Sequence, residues 1–192
     1  MQIFWHRDDL RATDNRGLAA AADAVAGDTD GSADSGVLPV FVFDDDILEY
    51  AGDARVRYML DALDSLRAWY RDHGSDLVVA RGDPAAILPD LAAEYGADRV
   101  VWNKGYSGLA RDRDDRVRGA LDDADVAAES FHDAIFHEPG SLTTNAGDPY
   151  SVFTYFGRKW PDRPKPAPIH APAPAAPAAV AGDPLPPRSS PG

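Results

Sequence analysis

The chain has 192 residues and a formal charge of −13, from 19 Lys and Arg against 32 Asp and Glu; 44% of its residues are apolar and none is cysteine. This is a globular composition that excludes disulfides, thiolate metal sites and cysteine nucleophiles. No apolar run approaches the roughly 20 residues of a membrane-spanning helix, no basic and apolar leader opens the chain, and the charge repels phosphate backbones, so the expectation is a cytoplasmic protein that neither enters membranes nor grips DNA.

The elements alternate in chain order. Gln2-Ile3-Phe4-Trp5 is a short apolar strand run, and alanine-rich Arg16 to Ala26 is helical. A Gly/Asp/Ser-rich loop, Gly27 to Gly36, leads into Val37 to Phe43, a buried-strand run with its proline near the start, where a missing N–H is tolerable. Ala54 to His73 places Val56, Met59, Leu60, Leu63, Leu66 and Tyr70 at the three-and-four spacing of an amphipathic helix, stopped by Gly74. Leu77 to Ala80 is a third strand. Asp83-Pro84 caps a helix to Tyr95, closed by Gly96. Arg99 to Trp102 is a fourth strand, Asp112 to Asp123 a helix, and Val126 to Phe131 a fifth strand.

Strands alternating with helices through short loops predict right-handed βαβ units: an α/β, doubly wound, five-stranded parallel sheet of Rossmann-like type over residues 1–160. Composition changes near Pro161. Residues 161–192 hold 11 of the 16 prolines, with alanine as filler, and predict a disordered Pro/Ala-rich linker or tail. The acidity is built from 28 Asp and only 4 Glu, and the basic side from 16 Arg and only 3 Lys. It would suit a basic partner or hydration in concentrated salt; its even spread favours the salty cytoplasm.

In such sheets ligands sit outside the carboxyl ends of the strands. The candidate shell is therefore His6 to Arg11, Asp44-Asp45-Asp46, Arg81-Gly82-Asp83 and Asn103-Lys104-Gly105-Tyr106. Neither G-x-G-x-x-G nor G-x-x-x-x-G-K-[ST] occurs where it would cradle phosphate, and there is no G-x-S-x-G elbow for a hydrolase triad. Asp44-Asp45-Asp46 offers hard oxygen ligands for Mg²⁺, yet aspartate is the default polar residue here, and no metal is expected. His6 has no partner at metal spacing and reads as a hydrogen-bonded structural histidine. The run Arg111 to Asp115 reads as a solvated helix start.

Trp5 to Leu18 (W-H-R-D-D-L-R-A-T-D-N-R-G-L) resembles the opening of the photolyase/cryptochrome family, W-x-R-x-D-L-R-x-x-D-N-x-x-L. Phe43-Asp44-Asp45-Asp46-Ile47-Leu48 is similar to the family's F-D-P-x-x-L, with Asp45 replacing proline. Gly82-Asp83-Pro84, Val101-Trp102-Asn103 and Ala110 to Asp114 follow in order, and Gly147 to Phe156 is similar to G-x-P-Y-x-V-F-T-P-F, with Tyr155 for the second proline. The resemblance is closest to microbial enzymes that repair cyclobutane pyrimidine dimers. It implies an N-terminal domain holding an antenna chromophore, with FAD, the catalytic residues and lesion binding belonging to a helical domain absent from these residues, which a separately encoded partner could supply. Alone, the chain would not act as a deoxyribodipyrimidine photo-lyase.

Family members that use folate place Asn-Glu where this chain has Leu109 and Ala110. Members that use deazaflavin wrap it around the positions of Phe43, Asp44 and Arg55, with Asn103, Lys104 and Gly105 at the strand-four end. Gly105 stands where those members carry an acid. The resemblance therefore implies deazaflavin over folate or FMN. Two alternatives stay open: a nucleotide-binding signalling module of the same wound fold, disfavoured because no helix start is expected after Gly140 and Gly147, and an inert gene fragment.

Overall fold

The computed structural model describes residues 1–27, 36–171 and 181–186. Most of the Gly27–Gly36 loop and the alanine-proline run 172–180 lie outside the described residues. Five strands, β1 (Gln2–His6), β2 (Val37–Phe43), β3 (Val78–Arg81), β4 (Arg99–Asn103) and β5 (Ala127–Phe131), form one parallel sheet in the order β3-β2-β1-β4-β5. Helices α1 (Arg16–Gly27), α3 (Asp53–Asp72), α4 (Pro84–Tyr95) and α5 (Gly108–Asp123) connect them, with a single turn, α2 (Asp45–Leu48), after β2. The doubly wound α/β fold is as the alternation predicts.

Strand parity sorts the core into two layers. Phe4, Phe41 and Phe43 face α1 and α3, packing with Leu18, Leu60, Leu63 and Tyr70. Ile3, Trp5, Val40, Val42 and Trp102 face α4 and α5, packing with Leu88, Val117 and Leu121. The central strands are buried on both faces, which is why β2 reads as an unbroken apolar run. The winding reverses at β1, whose neighbours are β2 on one side and β4 on the other. The switch point therefore lies at the carboxyl ends of β1 and β4.

Three features differ from expectation. The fifth helix starts at Gly108 rather than Asp112, because Ser107 caps it by accepting from the Ala110 N–H. A further helix, α6 (Phe153–Asp162), follows Gly147, where no helix start is expected, and it ends two residues beyond the expected boundary at residue 160. No side chain caps its start at Val152, so the usual local signal is missing from the sequence. Finally, the described parts of the Pro/Ala tract are not free. Ile169 exchanges backbone and side-chain bonds with Asp14 (2.7 and 3.1 Å), and Gly182 and Asp183 bond to Arg67. Their backbone groups find fixed partners on the domain, which composition does not reveal. Among the described residues no helix is long and apolar enough to cross a membrane.

Candidate ligand-binding cleft at the strand ends

The chain leaves β1 into a buried polar network. Asp9 receives the Arg7 N–H (3.2 Å), the Asn15 amide (3.0 Å) and the Asn103 amide. Asn103 accepts from the Gly17 N–H at 2.9 Å, Asn15 accepts from the Leu18 N–H at 3.1 Å, and Asp133 accepts from the Arg16 N–H at 2.9 Å. These side chains occupy the first donors of α1. A phosphate would have to displace them, so this helix start is closed to the use that dinucleotide-binding folds make of it.

His6 lies wholly buried on the α1/α3 side, 2.8 Å from the Tyr70 hydroxyl. It is the structural histidine the sequence suggests. Burial lowers its pKa to about 3, against the opposing bond to the Asp9 carbonyl and with Arg11's charge adding to the shift. Burial likewise raises the Asp9 carboxyl, although Asn103 and backbone donors work against it.

On the other face two guanidinium groups lie over one indole. The Cζ atoms of Arg7 and Arg113 are 4.9 and 5.3 Å from the Trp5 ring centre. Arg7 pairs with Asp114 at 2.5 Å, and the other Asp114 oxygen accepts from Trp102 Nε1 at 3.0 Å. Arg113 reaches Asp44 at 3.4 Å, while Asp44 also caps α2 by accepting from the Asp46 N–H. All four charged residues are buried. Burial first, then the charge of Arg113, pushes Arg7 below its ordinary pKa, with Asp114 pulling it back. Among the described residues, Arg7 Nε and Nη2 and Arg113 Nε have no hydrogen-bond partner. Buried donors left open cost about 1–3 kcal/mol each, and they are suited to a carbonyl or anionic oxygen of a ligand.

The run Arg111 to Asp115 is therefore not wholly a solvated helix start. Arg113 and Asp114 continue inward the stripe formed by Ala110, Val117 and Leu121. That spacing, from Arg113 and Asp114 through Val117 to Leu121, falls within Asp112 to Asp123 and is visible in the sequence even with the later start; what hides it is that two of its members are charged.

Gly105 closes one wall. A Cβ there would lie 2.5 Å from the Ala110 Cβ and 2.9 Å from Arg7 Nη2. Gly105→Ala should cost about 1–3 kcal/mol by overpacking, measured by urea unfolding, and an unchanged midpoint would show that the wall yields. Beside it an open cavity of about 260 Å³ runs along Lys104, Tyr106, Arg111, Asp114 and Arg118. Lys104 is half-buried and paired with Glu138 at 2.9 Å. Of the residues singled out in the sequence, Asp44, Asn103, Lys104 and Gly105 gather at these strand ends. Phe43 instead packs edge-on against Phe41 in the α1/α3 layer, and Arg55 stands exposed in the first turn of α3. Arg7 belongs to the shell His6 to Arg11 expected at the end of β1, whereas Arg113 and Asp114 fall in the run expected to be a solvated helix start. Asp45 pairs with Arg81, and among the described residues no group of three or more His, Cys, Asp or Glu is placed to hold a metal ion.

A family model described as DNA photolyase matches residues 2–178. The deoxyribodipyrimidine photo-lyase of Halobacterium salinarum is 61% identical over 176 residues, covering 91% of this chain and 36% of that protein. A bacterial class III photolyase from Agrobacterium tumefaciens superposes with a TM-score of 0.77 at 32% identity, over 98% of this chain and 36% of that one. An archaeal photolyase from Sulfolobus tokodaii, described with two FAD molecules and the implication of a novel light-harvesting cofactor, gives a TM-score of 0.74 at 24% identity, over 88% of this chain and 36% of its own. The chain thus spans about a third of the length of these relatives.

Proposed function

The chain belongs to the DNA photolyase family, and on that premise we propose that it is a light-harvesting domain that binds a deazaflavin antenna in the cleft between the ends of β1 and β4. The observation that carries this reading is the set of buried, unpartnered N–H groups on Arg7 and Arg113 at the switch point of the sheet. They would donate to the ring carbonyls or an anionic oxygen of the chromophore, in charge-assisted bonds. Asp44 and Asp114 hold the two guanidiniums in place, and Trp5 supplies the apolar floor beneath them. The bound chromophore supplies absorption of blue light. The protein's part is to bind and orient it and to exclude water from its polar edge.

Deazaflavin is preferred to folate because Leu109 is exposed and Ala110 is buried against Gly105, so neither gives a pterin a polar contact. The occupied donors of α1 count against the nucleotide-signalling reading. Light-driven repair of pyrimidine dimers then needs FAD on a helical polypeptide, in the same chain or a separate one, and that polypeptide would also meet the DNA. The aspartate-rich surface suits a concentrated-salt cytoplasm, as does the Halobacterium relative.

Protein produced in a deazaflavin-making host should carry a blue-absorbing chromophore near one per chain, and Arg113→Ala should lose at least tenfold in occupancy while still folded. Reconstitution with deazaflavin, FAD and folate in parallel separates the chromophores. A colourless protein that takes up none of them and binds ATP would overturn the reading.

A further inference from the structure

The receptor-like feature that the proposed antenna role leaves unused lies across the molecule, beside the edge strand β3. Arg67, buried in α3, grips Asp76 with two nearly parallel bonds, Nε at 2.6 Å and Nη2 at 2.9 Å, and Arg71 adds a third at 3.0 Å. Burial would raise the Asp76 carboxyl, but these bonds hold it well below the usual carboxylate range. The fork still has donors to spare, and residues 181–186 take them. Arg67 Nη2 donates to the Gly182 carbonyl at 2.5 Å, Nη1 donates to the Asp183 carbonyl, and the Gly182 N–H returns a bond to Asp76 at 3.2 Å.

The notch also reads side chains. A Cβ on Gly182 would overlap the Leu77 carbonyl oxygen, so no other residue fits there without displacing backbone. Pro184 fixes the direction of exit, and Leu185, the only leucine of residues 161–192, packs against the core layer that holds Leu60 and Leu63. An open cavity of about 420 Å³ continues between Leu60, Asp64, Arg71 and this segment.

We propose that the Arg67–Asp76 notch is a peptide-recognition site for a Gly-Asp-Pro-hydrophobic segment, filled in this chain by its own residues 182–185. A polypeptide running through the Pro/Ala tract is thereby anchored beside the edge of the sheet, whatever the chromophore cleft holds. The ligand is main chain plus two side-chain requirements, glycine first and an apolar residue fourth.

The test uses the full chain and a fluorescent synthetic peptide of residues 178–188. Gly182→Val in the full chain should empty the notch, so that this variant binds the free peptide saturably and at least tenfold tighter than the unaltered chain does. The same peptide carrying Gly182→Val should not bind. Peptide binding that ignores this substitution, or no binding to a Gly182→Val chain whose melting curve matches the parent, would overturn the proposal. Leu185→Ala provides a readout that does not depend on that variant folding: amide exchange at Gly182 should quicken at least tenfold, and an unchanged rate would equally defeat the recognition site.

Discussion

Asp114→Ala should destabilise the protein by about 3–5 kcal/mol, a large part of the 5–15 kcal/mol typical of a domain. The reason is what remains rather than what is lost. Arg7 keeps its charge beneath the surface with its ion-pair partner gone, and the Trp102 N–H loses its acceptor. The counterpart variant is informative. Arg7→Met with Asp114→Leu removes both charges together and should recover much of the loss, since apolar replacement of a buried pair is often neutral or better. Urea midpoints in molar KCl measure both. A loss below about 1 kcal/mol for Asp114→Ala would mean that water reaches Arg7, and the case for donors waiting on a ligand would fall with it.

This same pair marks the limit of what the sequence discloses. The sheet was legible because burial on both faces writes itself as apolar runs, in Val37 to Phe43 most plainly, and because Asp83-Pro84 and Gly96 punctuate a helix with local chemistry. The strand ends Asp44 and Asn103-Lys104-Gly105 followed from the rule that wound sheets bind at that edge. Arg7 fell within the shell His6 to Arg11 at the end of β1, but Arg113 and Asp114 were not legible, because an inward-facing ion pair has the same letters as a solvated one. Their three-and-four spacing with Val117 and Leu121 places Arg113 and Asp114 on the buried face of α5, a stripe that charged letters disguise. Phe43 shows the converse: it follows a strand to its end, and parity rather than type decides that its ring faces α3 and not the cleft. The docking of Gly182 needs a partner 106 residues away, and no local pattern encodes that.

Acidification from neutral pH should weaken the fold through His6. The Asp9 carbonyl can only accept, so Nδ1 carries the proton and Nε2 accepts from the Tyr70 hydroxyl at 2.8 Å. Protonating Nε2 would place a charge where no water reaches, and this burial, with the charge of Arg11 added, is why the pKa falls to about 3. The unfolded chain binds that proton near pH 6.5. The contribution of His6 is therefore complete above pH 6.5 and declines steadily as pH falls toward 3, because only the unfolded state gains the proton over that interval. Between pH 6.5 and 5 the loss should be about 2 kcal/mol, at about 1.4 kcal/mol per pH unit. Asp9 opposes the trend, since its raised carboxyl binds a proton more readily folded than unfolded. Asp76 adds to it only below the ordinary carboxylate range. Urea unfolding at about pH 7.5 and about pH 5 should show this slope in the parent chain and lose most of it in His6→Gln. An equal slope in both proteins would place the acid sensitivity in the other histidines, and would mean that a proton reaches His6 without opening the core.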